Sequence, residues 1–325
     1  MKFILTIDTE ADNQWDHGRK ISVKNIQYIP RFQELCNKYS IKPTYLVTSE
    51  VCSDAMAQEI LTEYLINDEA EIGAHLHSWT TPPFLDKEGY RYNDKSHAFA
   101  SEIEIELMNQ KIRSLTQQIE NVFGKKPTSF RSGRYGFNED VAMALIENDY
   151  LVDSSVTPYT RWSANKGLPN GKGGPDFTNK TPVPYSYTFK NKTLVEIPIT
   201  ILPTRFPLNV MPSLAEFYFQ NVNEMFMLKV IRKLLFQNQP LWLRPYEAMN
   251  NDLFASIIRE ARRKNLSNIV MMFHSSELMP GCSKYRKDES AVERLYEQLE
   301  ELFILFKKNK IEGVTLSEAA LKYNK

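Results

Sequence analysis

The chain has only three cysteines in 325 residues, Cys36, Cys52 and Cys282, an odd and scattered set. That excludes a disulfide framework and offers no zinc-type spacing, so reduced thiols are expected. Charge of one sign is not in excess either: Lys plus Arg and Asp plus Glu number 40 each. Without a basic surplus there is no electrostatic footprint for nucleic acid or for an anionic membrane surface. No uninterrupted apolar run approaches the roughly 18 to 20 residues that span a bilayer, so no membrane insertion is expected. The opening MKFILTIDTE imitates a signal peptide, but Thr6 and Asp8 interrupt its apolar stretch, and it reads instead as a first buried strand. A cytoplasmic location is the default expectation. Repeats, low-complexity tracts and divisive linkers are also missing, so residues 1–325 are read as one domain with loop insertions.

What is present is alternation. Short apolar, β-rich stretches exchange with helical patterns along the whole chain, the mark of a βα architecture. Strands are predicted over 3–7, 43–47, 71–75, 129–131, 151–155, 194–199, 240–244, 269–274 and 313–316. The fold class expected is α/β: a distorted (β/α) barrel of seven or eight parallel strands, with long loops on the catalytic face. Helices are predicted over 55–66 behind Ser53-Asp54, over 105–123 behind Ser101 and Glu104, over 217–236 behind Ser213 and Glu216, and over 291–308. Ile112, Leu115, Ile119 and Val122 recur at helical spacing and read as a core-facing stripe. Two long irregular stretches, 79–100 and 158–187, are expected to be binding loops or lids.

Histidine is scarce, with five in the chain, and two of them stand two residues apart in EIGAHLHSW. His75 and His77 lie on one side of an extended backbone and can grip one metal ion. In a parallel barrel, chemistry collects at the carboxyl ends of strands. There the sequence places Asp8, Glu10 and Asp12 after the first strand, His75 and His77 after the third, and Arg131, Arg134 and Tyr135 after the fourth. Asp153 follows the fifth, and His274 a late one. Carboxylates and imidazoles converging on one mouth suit a divalent ion with a position left open for water. Singly, each has a plainer reading: Asp8 as a strand terminator, Arg131 as a surface cation, Asp153-Ser154-Ser155 as an Asx turn. His17 and His97 lie in loops and are assigned no chemistry. Arg244-Pro245-Tyr246 reads as a substrate-facing or structural turn. Trp79, Tyr159 and Trp162 can stack on sugar rings or plug their own loops.

The order TIDTEAD, EIGAHLHSW, FRSGRYG, VDSS, MMFHSSE resembles the five motifs of the polysaccharide deacetylase family, the NodB-homology carbohydrate esterases. It looks most like the WalW-type branch, whose second motif takes the HLHxW form. The resemblance runs from Asp8 to His274. It implies a metal-dependent hydrolase that removes an N-acetyl group from a sugar of a polysaccharide or its precursor. The ion implied is zinc, with cobalt or nickel as alternatives. Carried over by position, Asp8 is the general base, Glu10 or Asp12 the acidic ligand, and His75 and His77 the imidazole ligands. Arg131 orients the base, Tyr135 lends its backbone N–H to the oxyanion, Asp153 supports from behind, and His274 is the general acid.

The chain departs from the usual pattern in three places, the first being that the acid after Asp8 is Glu10 or Asp12 rather than an aspartate directly beside it. Its motif histidines are two apart rather than four, and Arg131 and Tyr135 are four apart rather than three. Two other readings stand beside the deacetylase: an amidase or imidase on a small non-sugar amide, and a catalytically inactive glycan-binding barrel. A carbohydrate or small-molecule partner is expected in every case.

Overall fold

The computed structural model describes residues 1–12, 21–84, 98–204, 211–221, 225 and 240–323. Its first strand, β1 (Lys2–Thr9), is buried along all but its first residue and lacks alternation, because a parallel strand is covered on both faces. In chain order follow β2 (Thr44–Val47), β3 (Glu71–Leu76), β4 (Ser129–Ser132), β5 (Val152–Asp153), β6 (Tyr185–Phe189), β7 (Lys192–Glu196), β8 (Ile201–Leu202), β9 (Leu241–Trp242), β10 (Asn268–His274) and β11 (Glu312–Gly313).

The main sheet runs β10-β1-β2-β3-β4-β5-β7-β6, with β11 beside β1. All pairings from β10 to β7 are parallel, which gives the distorted barrel expected from the sequence. Its open side is drawn together at Thr200, whose N–H donates to Val270 O at 3.1 Å while its Oγ1 accepts from Val270 N at 2.8 Å. Register then decides chemistry: Asp8 is the Cα partner of His274, and His75 that of Arg131.

Several expectations are corrected in detail. The stretch 240–244 contributes only β9, which pairs antiparallel with β8 in a separate small sheet. β6 was not foreseen, because it straddles the end of the stretch 158–187 read as irregular; its Tyr187 and Phe189 pack against the core while Ser186 and Thr188 face out. It forms a hairpin with β7 through Lys190 and Asn191, both in the left-handed region at φ 47° and 63°, the backbone that tight two-residue turns demand. β5 keeps two of its five expected residues, since Ser154 and Ser155 turn their groups to other bonds described below.

Helix 55–66 is capped by Asp54, which accepts from Ala57 N at 2.9 Å. Helix 105–123 buries Ile112, Leu115 and Ile119 and packs Val122 against the core. The Ser101–Glu104 cap is not used there: the carboxylate of Glu102 accepts from Phe99 N instead, at 3.0 Å. The helix expected at 217–236 spans Pro212–Asn221, so Ser213 lies inside its first turn, and most of its expected second half lies outside the described residues. Asp288 caps the carboxyl-terminal helix, Glu289–Lys308, through Ala291 N. His17, His97 and much of the 79–100 loop also lie outside the described residues. No described helix is long and apolar enough to cross a membrane.

Candidate active site

The histidine pair sits where β3 ends. His75 is its penultimate residue and His77 follows it directly, and the two rings lie 4.8 Å apart. Glu10, just past β1, places Oε2 3.4 Å from His77 Nε2 and 3.6 Å from His75 Nε2. The three ligand atoms lie within 4.8 Å of one another, and all three residues are buried. His75 Nδ1–H donates to Arg131 O at 2.9 Å, the tautomer that leaves its Nε2 lone pair facing Glu10. His77 stacks on Trp79 at 4.5 Å between ring centroids. Its other flank lies against Gly133, where a Cβ would stand 2.1 Å from His77 Cδ2, so only glycine leaves room for this ring.

The donor set fits a divalent cation. Burial pushes the Glu10 carboxyl well up, with Asp8 adding to it, and pulls both imidazoles down. Neutral imidazoles are the ligating form, and a desolvated carboxyl between them regains its charge when a cation sits there. Asp12 is not part of this group. Its carboxylate accepts from Ser22 Oγ, from the backbone N–H of Lys24 and Asn25, and from Asn25 Nδ2, so it organises the loop behind β1.

Asp8 lies beside the cluster with Oδ2 4.0 Å from His75 Nε2. Its Oδ1 accepts from Arg131 Nη1 at 2.7 Å. Burial alone would raise the Asp8 carboxyl, but Arg131 and then His75 and His274 outweigh it and hold it at about 2. Arg131 is itself fully buried and fixed by other acceptors: Ser154 O at 2.7 Å, Thr6 Oγ1 at 2.8 Å and Ser154 Oγ at 3.1 Å. It is the opposite of a surface cation.

His274, across the strand pair from Asp8, meets two partners the sequence reading had not linked to it. Its Nδ1 lies 3.1 Å from Glu277 Oε1 and 3.0 Å from Arg244 Nη2. Arg244 donates to the same Glu277 oxygen at 2.5 Å. Burial pushes Glu277 up, yet Arg244 and His274 bring it down to about 2, so a carboxylate anion backs the imidazole. Arg244 thus combines both readings of its turn, facing the cavity and locking β9 to the segment after β10.

Tyr135 also lines the cavity, at the end of a tight turn in which Arg134 and Tyr135 both hold left-handed backbone, φ 54° and 61°. Two such non-glycine residues in succession cost on the order of 1 kcal/mol or more each, a strain that clusters at functional sites. Asp153 does not reach the cavity. Its carboxylate accepts from Ser155 N and Ser155 Oγ, both at 2.8 Å, the local turn bonding. Ser155 Oγ in turn accepts from Ser132 N at 2.8 Å, so Asp153 braces the end of β4 from behind. Its neighbour is the buried Glu196, pushed well up by burial and by Asp153, and burial raises Asp153 as well.

The cavity over these groups measures about 680 Å³, and Trp79, Trp162, Trp242, Tyr246 and Tyr285 contribute to its walls. Trp162 is fixed by Nε1–H donation to Thr157 Oγ1 at 2.8 Å and packs 5.2 Å from the Tyr135 ring. Tyr159 instead packs on Phe219 and stays out of the wall. The glycine-rich loop is pinned by one carboxylate: Glu102 accepts from Leu168 N and Gly173 N at 3.1 and 3.0 Å. The loop on the other side is pinned by one ammonium. Lys111, fully buried, donates to the carbonyls of Ser78, Thr81 and Pro83 at 2.9, 2.7 and 2.6 Å, and burial pulls it down to about 8.

Glu277 was within reach of sequence reasoning, three residues after His274 in the same motif. Lys111 and Glu196 carry no local signal, because their partners lie far along the chain, and Glu102, which also bonds Phe99 N nearby, reaches Leu168 and Gly173 only once the chain has folded.

No family model matches this sequence, and no curated protein matches it significantly. Among solved structures, a Mycobacterium smegmatis protein named as a candidate polysaccharide deacetylase shares the fold, with TM-score 0.56 and 12% identity over 99% of this chain and 89% of its own. The 4-α-glucanotransferase of Thermococcus litoralis matches with TM-score 0.50 and 13% identity, over 99% of this chain and 38% of its own. At these identities the likeness is one of fold.

Proposed function

We propose that the protein is a metal-dependent deacetylase that removes the N-acetyl group from a sugar of a polysaccharide or its precursor, acting as a single domain. Two solved neighbours with different named activities show that the fold leaves the reaction open, so the reading rests on the site. The observation that carries it is the pairing of Asp8 with His274 on adjacent strands, beside the buried Glu10, His75 and His77.

In this reading Glu10, His75 and His77 would hold zinc, or cobalt or nickel in its place. Such an ion, when bound, polarises an acyl carbonyl and acidifies water. Asp8, kept ionised by Arg131, takes the proton from the attacking water. His274, backed by Glu277, returns a proton to the leaving nitrogen. Tyr135, in the wall, offers its backbone N–H to the developing oxyanion. Asp153 and Arg131 act through others: the first braces β4, the second orients Asp8. The ordered motifs and the HLHSW form support membership of the polysaccharide deacetylase family, in its WalW-type branch. The roomy cavity and its indole rings favour a sugar over a small linear or cyclic amide.

The test is acetate release. Zinc- or cobalt-loaded protein is expected to free acetate from an N-acetylated glycan, and Asp8→Asn to abolish it. Undiminished release by Asp8→Asn would overturn the assignment.

A further inference from the structure

Two buried carboxyl groups meet behind Arg131. Glu196 on β7 is the Cα partner of Asp153 on β5, and both side chains are fully buried. Glu196 Oε1 accepts from Val156 N at 3.1 Å, while its Oε2 has no donor among the described residues. The Asp153 oxygens are taken by Ser155 N and Ser155 Oγ. The two carboxyl groups are hydrogen-bonded to each other. Ionised carboxylates are acceptors only, so that bond requires a proton held between them. Burial works in the same direction, since it disfavours charge on both groups.

The pair clasps the turn that holds Arg131. Asp153 begins this turn, and Glu196 secures its far end at Val156. Between them Ser154 N donates to Phe130 O at 3.0 Å, and Ser154 Oγ donates to Ile197 O at 2.7 Å. Ser154 so fixed offers its carbonyl and hydroxyl oxygens to the Arg131 guanidinium, which carries on to Asp8. Charge acts along the same line. Arg131 is within electrostatic reach of Asp153 and Glu196 as well as of Asp8. With both rear carboxyls ionised, two negative charges would compete with Asp8 for one guanidinium in a low-dielectric interior. A shared proton leaves one. The other titratable groups facing the pair are Tyr185 and Tyr187 of β6; burial raises both, and neither can supply a cation.

We propose that Glu196 is a positioning residue for the reaction: by sharing a proton with Asp153 it fixes the Ser154 turn and keeps Arg131 directed at Asp8; this rests on the deacetylase reading above. Two variants of the zinc-loaded protein test it. Glu196→Gln keeps an acceptor for Val156 N and a donor for Asp153, and its turnover is expected to stay close to that of the unaltered protein. Glu196→Met leaves Val156 N unpaired and Asp153 a lone buried charge, and is expected to lower kcat about tenfold or more. KM should hold, because neither Asp153 nor Glu196 lines the cavity. In crystals of the variants Arg131 should stay on Asp8 in Glu196→Gln and leave it in Glu196→Met. Infrared difference spectra at neutral pH should show a protonated-carboxyl C=O band in the unaltered protein that Glu196→Gln removes. That band needs only the variant that keeps both hydrogen bonds, so it decides even where Glu196→Met does not fold. Absence of the band, a Glu196→Gln as impaired as Glu196→Met, or a Glu196→Met that keeps its kcat with Arg131 still on Asp8 overturns the inference. Unaltered protein that releases no acetate, with the band and the Arg131 shift as stated, would instead overturn the deacetylase reading and leave the positioning of Arg131 standing.

Discussion

Arg131 Nη1 donates to Asp8 Oδ1 at 2.7 Å, and both side chains are buried within the barrel. Removing one partner of a buried ion pair leaves an uncompensated charge, which costs about 3–5 kcal/mol. Arg131→Met is therefore expected to lower stability by that order and to abolish activity. Chemical denaturation beside an acetate-release assay checks it, and a stable, active variant would remove the pair from the account.

Acid should weaken the fold through two groups. Asp8 is held at about 2 against an ordinary 3.8, and Glu277 at about 2 against 4.5; in both, neighbouring cations outweigh burial. A carboxylate depressed in the folded state adds stability that is fully present above its unfolded value and is lost as pH falls through the folded one. The loss is thus expected between about pH 4.5 and 2. Burial raises Glu10, Asp153 and Glu196 instead, which returns stability as pH falls to their ordinary 4.5 and 3.8 and then stops, so the net loss is expected below about pH 3.5. Denaturation midpoints at pH 5, 4 and 3 check the slope, and Glu277→Gln should flatten it.

Glu10 and Asp12 should separate cleanly. Glu10→Gln removes a charged donor from the histidine pair and is expected to lower zinc affinity by about tenfold or more. Asp12→Asn, which touches only the loop of Ser22, Lys24 and Asn25, should leave zinc affinity as it is. Competition with a chromogenic chelator measures both.

Lys111→Met strips three backbone carbonyls of their donor at a buried position. Unmade charged hydrogen bonds of this kind cost about 2–4 kcal/mol in all. The loop from Ser78 to Pro83 carries Trp79, which stacks on His77, so zinc affinity should fall along with stability. Denaturation and the chelator competition read the two effects separately.

Sequence spacing reached Asp8, His75 and His274 because each ends a strand whose apolar run is plain to see. It could not choose between Glu10 and Asp12, which share a side of an extended chain and differ only in how the following loop folds back. The sequence separation of Arg244 from Glu277, or of Lys111 from the carbonyls it holds, hides such pairs until the barrel closes. β6 escaped notice for a different reason: its alternating Tyr-Ser-Tyr-Thr-Phe begins inside the long stretch 158–187 that reads as loop.

The central claim is that Glu10, His75 and His77 hold one divalent ion. Zinc-soaked crystals measured at the zinc absorption edge test it most directly. The account expects one anomalous peak per chain, about 2.0–2.2 Å from His75 Nε2, His77 Nε2 and a Glu10 oxygen. No peak there, or a peak held by other residues, would contradict it.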